Sequence, residues 1–482
     1  MTPSPLHPYP TTPDRQKWSL IAATLVSALG FIDGSVISIA TPMIRESLGA
    51  TLVQSLWFSS AYMLPVAALI LVAGAAGDKF GINRITLIGI VIFLIGAIAS
   101  SASPTPEIFI VNRLITGTGA GLMIPGALAL IARAYPTETR GRAIGIWAAA
   151  SAILTALGPL IAGALLSTNW DNAWRFIFAV NLPIGLIAIY ILTQKLGRDR
   201  PIAERDLDWL GAILIVAALG ATAFSLSRFG QSDVRLYPYV VLAVVATLAF
   251  VFWEARTPHP MLPIELLRRR AFAVANIITF CLYFSLSAMM FYLPMTVISA
   301  WGVSPLAAAI SFAPLSIFIG LLSSRIGRLS DRIGPRPIIA AGSLLAAVAF
   351  VAMAITVPER NFWGIVVPLN AALGIGMAFI VGPLSTSVMD AVSEPQMGTA
   401  SGVNNAVSRM SGLMAVAGMG SVAALAYNAA GGTLSYGAIG QTELHLEAVD
   451  AGFQAVIWTT AGLSVLSALL ALFGLPARKA AD

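Results

Sequence analysis

Charge is scarce in this chain of 482 residues. Only 10% of positions are Asp, Glu, Lys or Arg, against about 25% in a soluble globular protein, which excludes a water-soluble enzyme. Cysteine occurs once, as Cys281 inside an apolar run, so no disulfide can form within the chain. The three histidines, His7, His259 and His445, all lie outside the apolar runs, and no His/Cys cluster offers a metal its ligands. A Walker-type phosphate loop is also lacking, and no pair of carboxylates falls within an apolar run. Neither a nucleotide-driven pump nor a membrane enzyme is therefore built into the chain. What abounds is hydrophobic side chain, 57% of residues with a mean hydropathy of +0.85, in runs of about 20, the length a helix needs to cross a 30 Å hydrocarbon core. An all-α polytopic membrane protein follows.

The runs fall near 18–41, 53–74, 85–101, 108–133, 141–166 and 173–194, then 209–227 and 237–254, then 272–299, 305–324, 337–356, 362–388, 398–427 and 452–475. The pattern is six, two, six. It predicts a tail over 1–17, an N-terminal six-helix bundle over 18–194, loops and two inserted helices over 195–271, a C-terminal six-helix bundle over 272–475 and a tail over 476–482. With alternating crossings, twenty-one of the 28 basic residues fall on the side of the N-terminus. Five (Arg45, Arg175, Arg228, Arg235, Arg360) fall on the other side, and Arg113 and Arg409 lie within spans. The positive-inside bias then places both termini in the cytoplasm and accounts for the net charge of +6 with no need of nucleic acid. Residues 1–17 carry five prolines and no cleavage signature, so the first span reads as a retained anchor.

The strongest internal repeat pairs Asp78-Lys79-Phe80-Gly81 through Arg84 with Asp331-Arg332-Ile333-Gly334 through Arg336. Each copy follows the second span of a six-span block, as expected of parallel repeats that enclose a substrate site between two halves. Glycine permits a tight reversal, and an acid and a base at helix ends can pair in one state and part in another. Such positions suit a conformational gate; the plainer alternative is two short positive-inside turns.

With Gly74 heading the first copy and Gly327 the second, these segments resemble the loop motif of the major facilitator superfamily, specifically its fourteen-helix drug:proton antiporter branch. Ile32-Asp33-Gly34 through Pro42, Arg113 through Gly117, Trp174-Arg175-Phe176 through Gly185, and Gly398 through Gly412 are similar to further motifs of that branch. Ala156 through Gly163, with Gly158, Pro159 and Gly163, resembles its antiporter motif. The resemblance runs from about residue 18 to 475. It implies two six-helix bundles plus two inserted helices, alternating access, no cofactor beyond the proton motive force, and export as the direction of transport.

Asp33 is the one acid deep inside an apolar run, and Arg113 reaches similar depth from the opposite side. Each charge costs about 2.5–3.5 kcal/mol at the centre of a spanning helix, so the two are expected to meet. An acid that faces a guanidinium in one state and a dry pocket in another changes its affinity for a proton; a permanent bridge between two helices is the alternative. Arg409, beside Asn404 and Asn405, either lines the cavity or bonds backbone carbonyls for packing. Trp57, Tyr62, Tyr292, Asn405 and Arg409 are the candidate cavity residues, and aromatics with little charge favour a lipophilic or amphipathic ligand. The expected function is a proton-coupled exporter of small lipophilic or amphipathic compounds. It would sit as a monomer in the lipid bilayer of a bacterial inner membrane, with accessory export proteins as conceivable partners. The alternatives are a dedicated exporter of one metabolite or lipid-like molecule, and a non-transporting sensor or assembly protein.

Overall fold

The computed structural model describes residues 12–168, 170, 172–197, 199, 207–230, 236–258, 260–393 and 396–476. His7, His259, Arg198, Arg200, Arg205, Arg235, Arg478, Lys479 and most of both tails lie outside the described residues. Among those described, fourteen helices are long and apolar enough to span a membrane. They are α1 (Pro13–Leu48), α2 (Leu52–Phe80), α3 (Ile82–Ser101), α4 (Pro106–Ala134), α5 (Glu138–Leu166), α6 (Ala173–Leu196), α7 (Trp209–Ser227), α8 (Tyr237–Glu254), α9 (Arg270–Ser299), α10 (Pro305–Ile333), α11 (Pro335–Glu359), α12 (Phe362–Asp390), α13 (Met397–Ala429) and α14 (Glu443–Gly474). The chain is an integral membrane protein.

The helices outrun the apolar stretches because caps, not hydropathy, decide where they start. Thr12, Thr105 and Ser304 each accept a backbone N–H three residues on, and each is followed by proline, whose fixed φ and missing donor suit a first helical position. Thr51 and Gln54 form a reciprocal capping box at the start of α2. Several expectations change as a result. Arg45, expected in a loop, is buried in the last turn of α1. Asp78, Lys79, Asp331 and Arg332 sit on the last turns of α2 and α10, with only the glycines in the connections. His445 and Asp450 belong to α14 and are buried, so Asp33 is not the only acid within a span, nor does every histidine lie outside one.

Gly81 and Gly334 join α2 to α3 and α10 to α11 with nearly the same backbone, φ +100° and +90°, a region side-chain-bearing residues avoid. Helices α1–α6 and α9–α14 form two bundles that meet along α2–α13, α5–α10 and α1–α9. Since α2 corresponds to α10 and α5 to α13, the first two seams are the same pairing with the halves exchanged, the signature of a pseudo-twofold axis along the membrane normal. The inserted pair is not symmetric. Helix α7 packs on both α2 and α13, covering one seam, and α8 packs chiefly on α7.

We call the side where α1 begins the basic face and the other the far face. Toward the far face one apolar cluster joins the bundles, Ile37, Ile44, Leu56 and Phe58 from the first with Met289, Leu293, Val297 and Phe453 from the second. Toward the basic face the cores separate, Val26, Ile90, Phe93 and Met123 in one and Phe272, Ile278, Ile339 and Leu384 in the other. The halves are therefore pressed together at one end and parted at the other.

Two polar contacts reinforce the closed end. Arg45 donates to the Tyr436 carbonyl at 2.6 Å, to the Ala50 carbonyl at 3.2 Å and to the Ser435 hydroxyl, and the Leu306 N–H donates to Ser167 Oγ at 3.1 Å. Within the second half, Arg360 bridges Asp450 (2.7 Å) and Glu443 (2.9 Å). Desolvation pulls the Arg360 pKa down, but hydrogen bonds and charge from those two acids more than offset it, leaving it raised.

Candidate functional site

Helices α1 and α4 bring Asp33 and Arg113 together inside the first bundle. Their side chains are 0% exposed, and Arg113 Nη1 donates to Asp33 Oδ2 at 2.7 Å. Arg113 Nε donates to the Phe58 carbonyl at 3.1 Å, and Asn181 Nδ2 of α6 reaches Asp33 Oδ1 at 3.5 Å. The Tyr62 ring lies 4.7 Å from the guanidinium carbon and the Phe178 ring 5.6 Å from it, adding cation–π attraction in a dry setting. Tyr62 donates its hydroxyl to the Gly30 carbonyl at 3.0 Å. Arg113 Nη2 and Asn181 Oδ1 are buried without a hydrogen-bond partner among the described residues. Desolvation makes the mutual attraction strong and makes loss of either partner costly.

Between the parted ends lies a cavity of about 400 Å³ lined by α1, α2, α4, α5 and α13, with Asp208 and Pro260–Pro263 at its mouth. Its wall is mostly apolar: Phe31, Ile70, Leu71, Ile124, Leu128 and Trp147 face it. Of the expected cavity residues, Asn405 and Arg409 line it. The other three lie elsewhere. Tyr62 roofs the ion pair, Tyr292 is wholly buried with its hydroxyl on the Val416 carbonyl, and Trp57 packs against Phe224 of α7 at 6.2 Å. Aromatic content alone does not distinguish a wall from a core. Arg409 makes no hydrogen bond or ion pair among the described residues; its Nε is buried without a partner, and its guanidinium sits 5.7 Å from the Phe31 ring. Asn404 turns away to Thr279 and Asn276 of α9.

Around the first gate copy, Asp78 meets Arg133 of α4 at 3.4 Å, and Arg133 meets Asp199 at 2.9 Å. Asp199 accepts the N–H groups of Ile82 (2.6 Å) and Asn83 (3.2 Å), placing its charge at the positive start of α3. A Cβ on Gly81 would fall 2.5 Å from Asp199 Oδ1. Gly74 and Asp78 border the cavity, Lys79 lies 5.8 Å from the Phe80 ring, and Arg84 is exposed. The second copy differs: Asp331 and Arg332 are exposed, Arg336 is half-buried, and none of the three forms an ion pair among the described residues. On α5, a Cβ at Gly158 would meet Ser35 Oγ at 2.8 Å and Ile32 Cα at 3.2 Å, beside Asp33, and one at Gly163 would meet Leu306 Cα at 2.8 Å on α10. Both positions permit close helix approach. Pro159 lies between them inside the continuous α5.

Sequence reasoning missed Asn181, Arg133 and Asp199 as partners. Asn181 lay in a quoted motif without a role, and Asp199 was hidden in a charged loop where nothing marks one acid among its neighbours.

Comparison with known proteins supplies the context. Residues 23–416 match the Major Facilitator Superfamily. The chain is 30% identical over 414 residues to a protein named multidrug resistance protein Stp of Mycobacterium tuberculosis, covering 85% of this chain and 76% of that one. It is 28% identical over 388 residues to riboflavin transporter RibZ of Clostridioides difficile, covering 80% and 83%. Among solved structures, a bacterial homolog of the human lysosomal transporter Spinster, inward-facing and unoccupied, aligns with a TM-score of 0.70 at 17% identity over 96% of this chain and 97% of that one.

Proposed function

The chain belongs to the Major Facilitator Superfamily and is a membrane transporter, not an enzyme; on that premise we propose that it is a proton-coupled exporter of small lipophilic or amphipathic compounds. The observation that carries this reading is a mostly apolar cavity open toward one face while an acid and an arginine lie sealed behind Tyr62 in the adjoining bundle. The basic face is cytoplasmic, the membrane is the bacterial inner membrane, and the unit is a monomer. Cargo enters from the cytoplasm into the cavity. Rocking of the halves about the α1–α9 contact then closes the gate segments and opens the far face. In that motion Asp33 exchanges the Arg113 guanidinium for a proton, so that the proton gradient drives cargo outward. Gly158, packed on α1 beside Asp33, ties the motion of α5 to the acid. The name of the multidrug resistance relative supports a broad cargo range.

The test is gradient-driven transport in proteoliposomes, comparing the native chain with Asp33→Asn across lipophilic cations, neutral drugs and amphiphiles. The variant is expected to lose more than about tenfold of gradient-driven movement while retaining binding, as removal of a proton-transferring group does. Undiminished transport removes Asp33 from the coupling. A second reading, export of one dedicated metabolite, is favoured by the likeness to a riboflavin transporter; transport confined to a single compound in the same panel selects it.

A further inference from the structure

Arg409 is twelve residues from the start of α13, roughly 18 Å along the helix axis, and there it faces the cavity. A charge at such depth is costly unless it is paired or solvated, and none of the described residues pairs it. Among the described residues the acids facing the cavity are Asp78 and Asp208, both at its mouth, with Asp208 Oδ2 left without a partner there. Asp78 holds Arg133, and Asp208 accepts from the Gly211 N–H at 2.8 Å and from Trp253 Nε1 at 2.7 Å. Asp33 is sealed against Arg113. The depth of the cavity is thus cationic, and its remaining wall is mostly apolar, with Ser27, Thr399 and Ser401 among the polar exceptions.

Arg409 is the donor left open to an anion, while Asn405 Nδ2 gives one of its two hydrogens to the Ser401 carbonyl at 3.1 Å and keeps the other. Asn405 is one helical turn from Arg409, so both project from the same face of α13 into the cavity. A guanidinium offers paired donors in a fixed fork that matches a carboxylate. Phe31 backs its face at 5.7 Å, and Leu71, Ile124 and Leu128 supply apolar wall for the rest of the ligand. The volume of about 400 Å³ suits a molecule of ordinary drug size.

We propose that the cargo is an amphipathic organic anion, its carboxylate held by Arg409 and Asn405 and its apolar body by the wall of α1, α2 and α4. The inference rests on the exporter reading in taking the cavity as the cargo site. It excludes lipophilic cations as preferred cargo, because at depth they would meet Arg409, with Asp78 and Asp208 only at the mouth.

The experiment uses three probes with one apolar body, pyrenebutyrate, pyrenebutanol and pyrenebutyltrimethylammonium, titrated against the full chain in zwitterionic lipid nanodiscs. Pyrenebutyrate is expected to bind about tenfold or more tightly than the alcohol, the worth of a charge-assisted hydrogen bond, and the cation most weakly. Arg409→Gln is expected to bring acid and alcohol within about threefold, and Arg409→Lys, which keeps the charge without the fork, to fall between. Thermal unfolding of both variants checks that they fold. Equal binding of all three probes, preference for the cation, binding of none, or an acid preference that survives Arg409→Gln overturns the proposal. The same probes in proteoliposomes separate it from the exporter reading. Acid preference without gradient-driven movement overturns export and leaves the anion site. Movement of the cation with no acid preference overturns the anion site and leaves export.

Discussion

Arg113 in the first half and Arg409 in the second both lie within spanning helices, and the two are treated in opposite ways. Arg113 is fully buried, paired to Asp33 and bonded to the Phe58 carbonyl. Arg409 stands at the cavity wall with no hydrogen-bond or ion-pair partner among the described residues. A charge that folding has already neutralised serves the interior of its bundle, whereas one left uncompensated is available to something that arrives. The contrast extends to the repeated gate segments, engaged with Arg133 and Asp199 in the first half and without an ion pair in the second. Around the cavity and the gate segments the first half holds the paired charges and the second the unpaired ones, while the second half's own fixed network, Arg360 with Asp450 and Glu443, lies toward the far face.

The largest test of this division sets Arg113→Ala against Arg409→Ala. Removing Arg113 strands a buried carboxylate and is expected to cost about 3–5 kcal/mol, read as a lowered unfolding temperature in detergent; removing Arg409 is expected to cost about 0.5 kcal/mol. An Asp33→Leu, Arg113→Met double variant should recover much of the first loss, because replacing both partners avoids the stranded charge. Equal losses for the two single variants would erase the contrast. A smaller effect concerns the glycines of the repeat. Alanine at either Gly81 or Gly334 is expected to cost about 1–3 kcal/mol of backbone strain, with Gly81→Ala the worse because its methyl also displaces Asp199; unfolding temperatures rank the two, and faster amide exchange at Ile82 and Asn83 would mark the lost cap. Smallest, Asp199→Asn weakens the cap and the Arg133 pair by about 1 kcal/mol, while Asp331→Asn stays within about 0.5 kcal/mol. If Asp331→Asn were the more damaging, the second gate copy would have a partner of its own.

Much of the architecture was legible because the membrane imposes a length on every apolar run. All fourteen spans and the Gly81–Gly334 correspondence follow from that length and from a repeated turn. The meeting of Asp33 with Arg113 was legible too, since a charge in hydrocarbon has few inexpensive places to go. What escaped depended on direction. Tyr62 and Tyr292 differ from a cavity-lining aromatic only by which way the helix turns them, and rotation is set by packing among α1, α2, α9 and α13. Asp450 escaped because the helix begins at Glu443 and carries it inward, although hydropathy alone starts the span only after it. Arg45 escaped for the mirror-image reason at the end of α1.

Helix α7 touches α2 through Gly220 and Leu64, 3.3 Å from the position a Cβ would take, and touches α13 where Ser421 donates to the Leu226 carbonyl at 2.6 Å. It lies like a splint across one flank of the joint between the halves, so any rocking that shears α2 against α13 must carry α7 with it or break these contacts.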